Sequence, residues 1–170
     1  MDFCCGSNHW LHTLRNRVKE KRSKDLRNIS FRGFDVRVAS ADYSFEKRDF
    51  LQVRADELLE GNRLVIGLKP PVGTAGKVAE RYLERARLLK PRTFVLVLPI
   101  EPKVELPKGY NLVSEKNLEQ LSDGRVYRIP GSWDPTTGGE VYQHGSTSLK
   151  LAIAMREDIS RKEETMLTDM

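Results

Sequence analysis

The chain is poor in the residues that build metal sites and disulfide scaffolds. It has two cysteines, adjacent at Cys4 and Cys5, and three histidines, His9, His12 and His144. Neighbouring cysteines rarely bridge each other, so a disulfide framework is not expected. His9 and His12 fall within one helical turn, but no cysteine pair at zinc spacing joins them, so no metal is expected. No apolar run approaches the roughly 20 residues that cross a bilayer. The start of the chain has no basic, apolar, small-residue leader. These absences point to a soluble intracellular protein with no membrane partner. No internal repeat appears, which excludes solenoids and propellers.

What is present is an ordinary globular balance. The 170 residues are 39% hydrophobic and 31% charged, enough for one domain with a real core. The formal net charge is +5. Much of the excess comes early, in Arg15, Arg17, Lys19, Lys21, Arg22, Lys24, Arg27 and Arg32. Such a run attracts phosphate backbones. No aromatic interleaves it from Arg15 to Arg27, so a solvated helix face is the plainer reading.

Strand-like and helix-like segments alternate, which predicts an α/β fold with a largely parallel sheet. After a small-residue turn at residues 2–8, Trp10, Leu11, Leu14 and Val18 recur at helical spacing, with Ser7 or Asn8 as N-cap. Strands are predicted over 29–36, 43–48, 64–68, 93–100, 125–129 and 149–155. One helical turn is expected at 56–60. A clear helix is predicted over 75–89, with Val78, Tyr82, Ala86 and Leu89 on its apolar face. A short helix is predicted over 115–121, and a long polar loop over 130–145. The domain is placed at 1–155 and a charged tail at 156–170. A strand should precede the turn at Asp2, and only residues 1–3 remain for it. The sheet is therefore expected to lack most of its first strand.

The candidate chemistry lies at the predicted strand ends. Asp2-Phe3-Cys4-Cys5-Gly6-Ser7-Asn8 places an acid, small residues and a helix start in series. Gly6 lets a ligand approach the backbone, and helix N–H groups receive anionic groups. Asp35 closes the next strand, where an acid commonly binds ribose hydroxyls. Asp49 and Phe50 close a third, in position to meet an adenine ring. Together they predict a nucleoside site. Lys69-Pro70-Pro71-Val72 follows the 64–68 strand. Tyr127 and Trp133 flank the late loop, as stacking surfaces or as core filling.

These blocks carry a family resemblance. Residues 2–8, Phe45-Glu46-Lys47-Arg48-Asp49-Phe50 and Gly67-Leu68-Lys69-Pro70-Pro71-Val72-Gly73 resemble, in order and spacing, the methyltransferase-like domain of the plant enhanced-downy-mildew proteins. These are nuclear chromatin regulators. The likeness continues through Leu88-Leu89-Lys90-Pro91 and Val95-Leu96-Val97-Leu98-Pro99 to Asp134. More remotely, the order is similar to adenine-N6 methyltransferases. The resemblance implies a Rossmann-like methyltransferase sheet and S-adenosylmethionine as cofactor. It implies nucleic acid or chromatin proteins as partners, and a nuclear location. It assigns Asp2, Cys4 and Gly6 to the cofactor loop, Asp35 to the ribose, and Asp49 and Phe50 to the adenine. Lys69, Pro70, Pro71 and Val72 match the amine-methylation motif, ordinarily Asn-Pro-Pro followed by an aromatic.

This chain departs from that motif at both ends. Methylating an exocyclic amine needs acceptors that hold its hydrogens and aim the lone pair. A lysine ammonium has three donors and no acceptor. The motif's aromatic stacks on the base, worth about 1–3 kcal/mol in stacking systems, and Val72 has no ring. A lysine base would need a positioned partner, and none is visible. Three readings stay open: a catalytically degenerate methyltransferase-like domain, an active N-methyltransferase, and an interaction domain with an empty pocket.

Overall fold

The computed structural model describes residues 1–5, 9–21, 29–36, 44–58, 63–71, 76–118, 132–134, 139–141 and 148–159. The first five strands are β1 (Asp2–Phe3), β2 (Gly33–Asp35), β3 (Phe45–Lys47), β4 (Val65–Leu68) and β5 (Thr93–Pro99). Two longer strands follow, β6 (Tyr110–Asn117) and β9 (Leu149–Arg156), separated by the hairpin β7 (Ser132–Asp134) and β8 (Gly139–Val141). The helices are α1 (His9–Lys21) and α2 (Lys77–Arg87).

The main sheet has the order β3-β2-β1-β4-β5-β9-β6. β1 to β5 are parallel, and β9 lies antiparallel to both β5 and β6. Parallel neighbours need crossovers. Here α1 lies between β1 and β2, and α2 between β4 and β5, as a doubly wound sheet requires. The expected Rossmann-like sheet is therefore present. Strand order reverses between β1 and β4, so the switch point lies there. β1 has two residues but is paired on both sides, Asp2 with Gly33 and with Gly67. Met1 extends the ladder: its carbonyl accepts from Gly67 N at 2.7 Å, and its ammonium donates to Val65 O at 2.8 Å.

The pleat alternates side chains across the sheet. Ile66 and Leu68 join the core formed with Phe3, Phe34, Phe94 and Leu96 and with Ala79, Leu83 and Ala86 of α2. Gly67 points to the other face, where α1 lies. A β-carbon at Gly67 would meet Trp10 Cζ3 at 2.5 Å.

Several sequence expectations need correction. The predicted 29–36 strand contracts to Gly33–Asp35, because residues 29–32 lie outside the sheet with Ile29 exposed. The turn at 56–60 is a 3-10 turn over Ala55–Glu57, bounded by extended residues. Val65 is exposed at the start of a strand predicted to be buried on both faces. On α2 the deepest residues are Ala79, Leu83 and Ala86, while Val78 and Tyr82 are only partly covered. The helix predicted over 115–121 is wrong through Asn117, since β6 runs to that residue. Tyr110 fixes the start of β6: its ring packs on Phe94 with centroids 4.7 Å apart, and its hydroxyl donates to Pro91 O at 2.8 Å. The predicted 130–145 loop contains the β7–β8 hairpin. The strand expected at 125–129 and the tail beyond residue 159 lie outside the described residues.

Candidate functional site

Parallel strands deliver their carboxyl ends to one rim of the sheet, and open α/β sheets bind ligands there, at the switch point. Four predicted segments reach this rim. Cys4 follows β1, whose first residue is Asp2, Asp35 ends β2, Asp49 follows β3, and Lys69-Pro70-Pro71 follows β4.

Asp2 is 6% exposed. Burial pushes its carboxyl up to about 7, opposed by the Met1 ammonium and by Lys69, with Asp35 adding to the rise. Lys69 is itself exposed, so its charge faces water while still acting on Asp2. Burial likewise pushes the Met1 ammonium down to about 6, against the pull of Asp2.

Cys4 turns the chain off β1 with a φ of 63°, a left-handed conformation that strains a residue with a β-carbon. Cys5 N then donates to Phe34 O at 3.1 Å. The Cys4 thiol is held well above its ordinary pKa, first by burial, then by the carboxylates of Asp35 and Asp2, with Cys5 and Asp49 adding. The thiol is therefore protonated at neutral pH, which removes it as a nucleophile. Asp35, Asp2 and Asp49 all act electrostatically on this one thiol.

Asp49 is held by its own turn. Its Oδ1 accepts from Leu51 N at 2.9 Å, capping the 3-10 turn Phe50–Gln52. Phe50 corrects the sequence expectation. Its ring is buried against Phe3, with centroids 3.9 Å apart, and tilts toward Tyr82 at 5.9 Å. It belongs to the core and offers no face to an adenine.

Tyr82 was read from sequence only as a helix-face residue. The phenol is half-buried, and its pKa is pushed well above the usual range by burial, then by Cys4 and Asp49, with Asp35 adding and Arg81 opposing. Tyr82 thus joins the same group from α2. No sequence signal distinguishes it from any other amphipathic tyrosine. Pro70 is buried and Pro71 half-buried, so the strand-end geometry after β4 is firmly packed. Gly6, Val72, Tyr127 and the side chain of Trp133 lie outside the described residues. Among the described residues no group of three or more His, Cys, Asp or Glu could hold a metal ion. Among them, too, no helix is long and apolar enough to cross a membrane.

The rim can be summarised chemically. Asp35 and Asp49, with Asp2 once it is ionised, make this rim rich in acceptors, beside a neutral thiol and a phenol. It suits a ligand that brings hydroxyl and amine donors and a positive charge. Lys69 brings a cation from the loop after β4, beside the Met1 ammonium.

The protein ENHANCED DOWNY MILDEW 2 of Arabidopsis thaliana is 29% identical over 132 residues, which is 78% of this chain. The chain spans about 10% of that relative's length. No solved structure matches. The family model described as the EDM2 methyltransferase-like domain matches residues 1–168, nearly the whole chain, and the chain belongs to that family.

Proposed function

We propose that this chain is a methyltransferase-like module that keeps a pocket for S-adenosylmethionine and has lost amine methylation, and that it serves a nuclear chromatin regulator. One observation carries the reading. Asp35 and Asp49 stand at the carboxyl ends of neighbouring strands, while the position that must hold a reacting amine is Lys69.

The residues present fit the cofactor by the chemistry of their donors and acceptors. S-adenosylmethionine supplies a methyl group on a positively charged sulfonium. Asp35 offers an acceptor to ribose hydroxyls, and Asp49 offers one to an adenine amine. Asp2 favours positive charge once it is ionised. Phe50 does not contribute a stacking face, so the adenine must be held by polar contacts and by other apolar residues. Lys69 cannot accept the hydrogens of a target amine. Its ammonium also opposes a sulfonium nearby, which its exposed position reduces. Nucleus and chromatin enter this proposal through the family resemblance.

The test is transfer of labelled methyl from S-adenosylmethionine to adenine-containing DNA and RNA single strands. The proposal expects no transfer above background. Replacing both motif positions, Lys69→Asn with Val72→Phe, is expected to raise transfer above that background. Turnover by the unaltered chain would overturn the reading in favour of an active N-methyltransferase.

A further inference from the structure

We propose that a second site, before the amino-terminal ends of β2 and β3 and away from Asp35 and Asp49 at their carboxyl ends, binds single-stranded nucleic acid. It is a cleft of about 470 Å³ where the second half of α1 passes the starts of β2 and β3. Its walls carry three cations, Arg15, Lys19 and Arg32, against one carboxylate, Glu46. Glu46 is already engaged: Arg32 Nη2 donates to it at 2.9 Å, and Arg48 pairs with it at 3.2 Å. The cleft wall therefore keeps a positive balance.

The second ingredient is aromatic. Phe31 and Phe45 line the same cleft and are only half-buried. In the linear sequence these rings stand apart from the helix cations; folding β2 and β3 against α1 joins them. Cations beside partly exposed rings match the chemistry of a single strand, whose phosphates seek positive charge and whose unpaired bases offer faces for stacking. A duplex hides those faces, and a phosphorylated peptide presents one phosphate where a strand presents phosphates and bases in series. The volume lies in the ordinary range for a ligand site.

The experiment is a fluorescence-anisotropy titration of the full chain at several salt concentrations. The probes are a short labelled RNA strand, the same sequence as DNA, its duplex, and a phosphoserine peptide. Binding of either single strand is expected, weakening as salt rises. Arg15→Gln with Lys19→Gln should lower affinity by roughly tenfold or more and flatten the logarithmic salt slope by about 1.4, at about 0.7 per phosphate contact. Phe45→Leu, which keeps the site apolar, should lower affinity roughly tenfold and leave that slope unchanged. Glu46→Gln should act in the opposite direction, raising affinity by roughly threefold through loss of a like charge to phosphate. Three results would overturn the proposal: no binding by the folded chain, equal or tighter binding of the duplex or the phosphopeptide, or single-strand binding unmoved by all of these variants. Cofactor binding at the other rim is independent of each outcome.

Discussion

The six-membered ring of Trp10 fills the space that a side chain at Gly67 would need, with Cζ3 and Cη2 at 2.5 and 2.7 Å from a β-carbon built there. This contact lets α1 lie close against β4 two residues before Lys69. It thereby fixes the approach of both segments that flank the switch point. Gly67 stands in the run that carries the family resemblance, and its part in that run is steric.

Gly67→Ala should therefore push Trp10 outward. Trp10 is already 36% exposed, so the ring has room to give way. The expected cost is about 1–3 kcal/mol, the usual range for overpacking. Thermal unfolding should shift downward and tryptophan emission should shift to the red. An unchanged melting temperature and spectrum would show that the contact is not tight.

The Asp2 carboxyl supplies a pH test. Its folded pKa is raised from 3.8 to about 7. Its contribution to stability is complete below pH about 4, falls as the pH rises from there to about 7, and is flat above. Asp2→Asn does not titrate and escapes the loss. The variant should thus gain on the parent by roughly 2–4 kcal/mol between pH 4 and pH 8. Denaturant unfolding at the two pH values measures the gap; a gap that does not widen contradicts the buried, poorly compensated carboxylate.

Tyr110 offers a test of the far side of the sheet. Its hydroxyl donates to the carbonyl of buried Pro91, and burial pushes the phenol up to about 12. Tyr110→Phe keeps the packing on Phe94 and removes the donor. The cost should be about 1 kcal/mol, a fall of roughly 2–4 °C in Tm for a chain of this size. Site chemistry at Asp35 and Asp49 should be unaffected.

Much of the fold was legible because buried parallel strands leave strong local signals. Thr93–Pro99 carries alternate apolar residues on a buried face, and Lys77–Arg87 has a clear amphipathic stripe. Tyr110–Asn117 was misread as partly helical for the opposite reason. It lies at the sheet edge with both faces largely exposed. A register shift between Leu112 and Ser114 also breaks its alternation. Its identity as a strand comes from pairing with Leu149–Arg156, a partner remote in sequence. The acids of the candidate site were legible because strand ends mark the rim. Phe50 was misassigned because its ring turns inward against Phe3, a choice that core packing makes and sequence does not announce. Tyr82 was missed because only the docking of α2 onto the sheet brings it under the electrostatic influence of Cys4 and Asp49. Phe31 and Phe45 joined the basic face by the same kind of distant packing.

The most direct test of a retained cofactor pocket is a calorimetric titration of the folded chain with S-adenosylmethionine, alongside Asp35→Ala. The account predicts saturable binding by the parent, weakened at least tenfold by Asp35→Ala, in line with loss of charge-assisted hydrogen bonds worth about 1.5–3 kcal/mol. A folded parent that produces no binding heat and shows no cofactor-dependent rise in Tm would contradict it, leaving an interaction domain with an empty pocket.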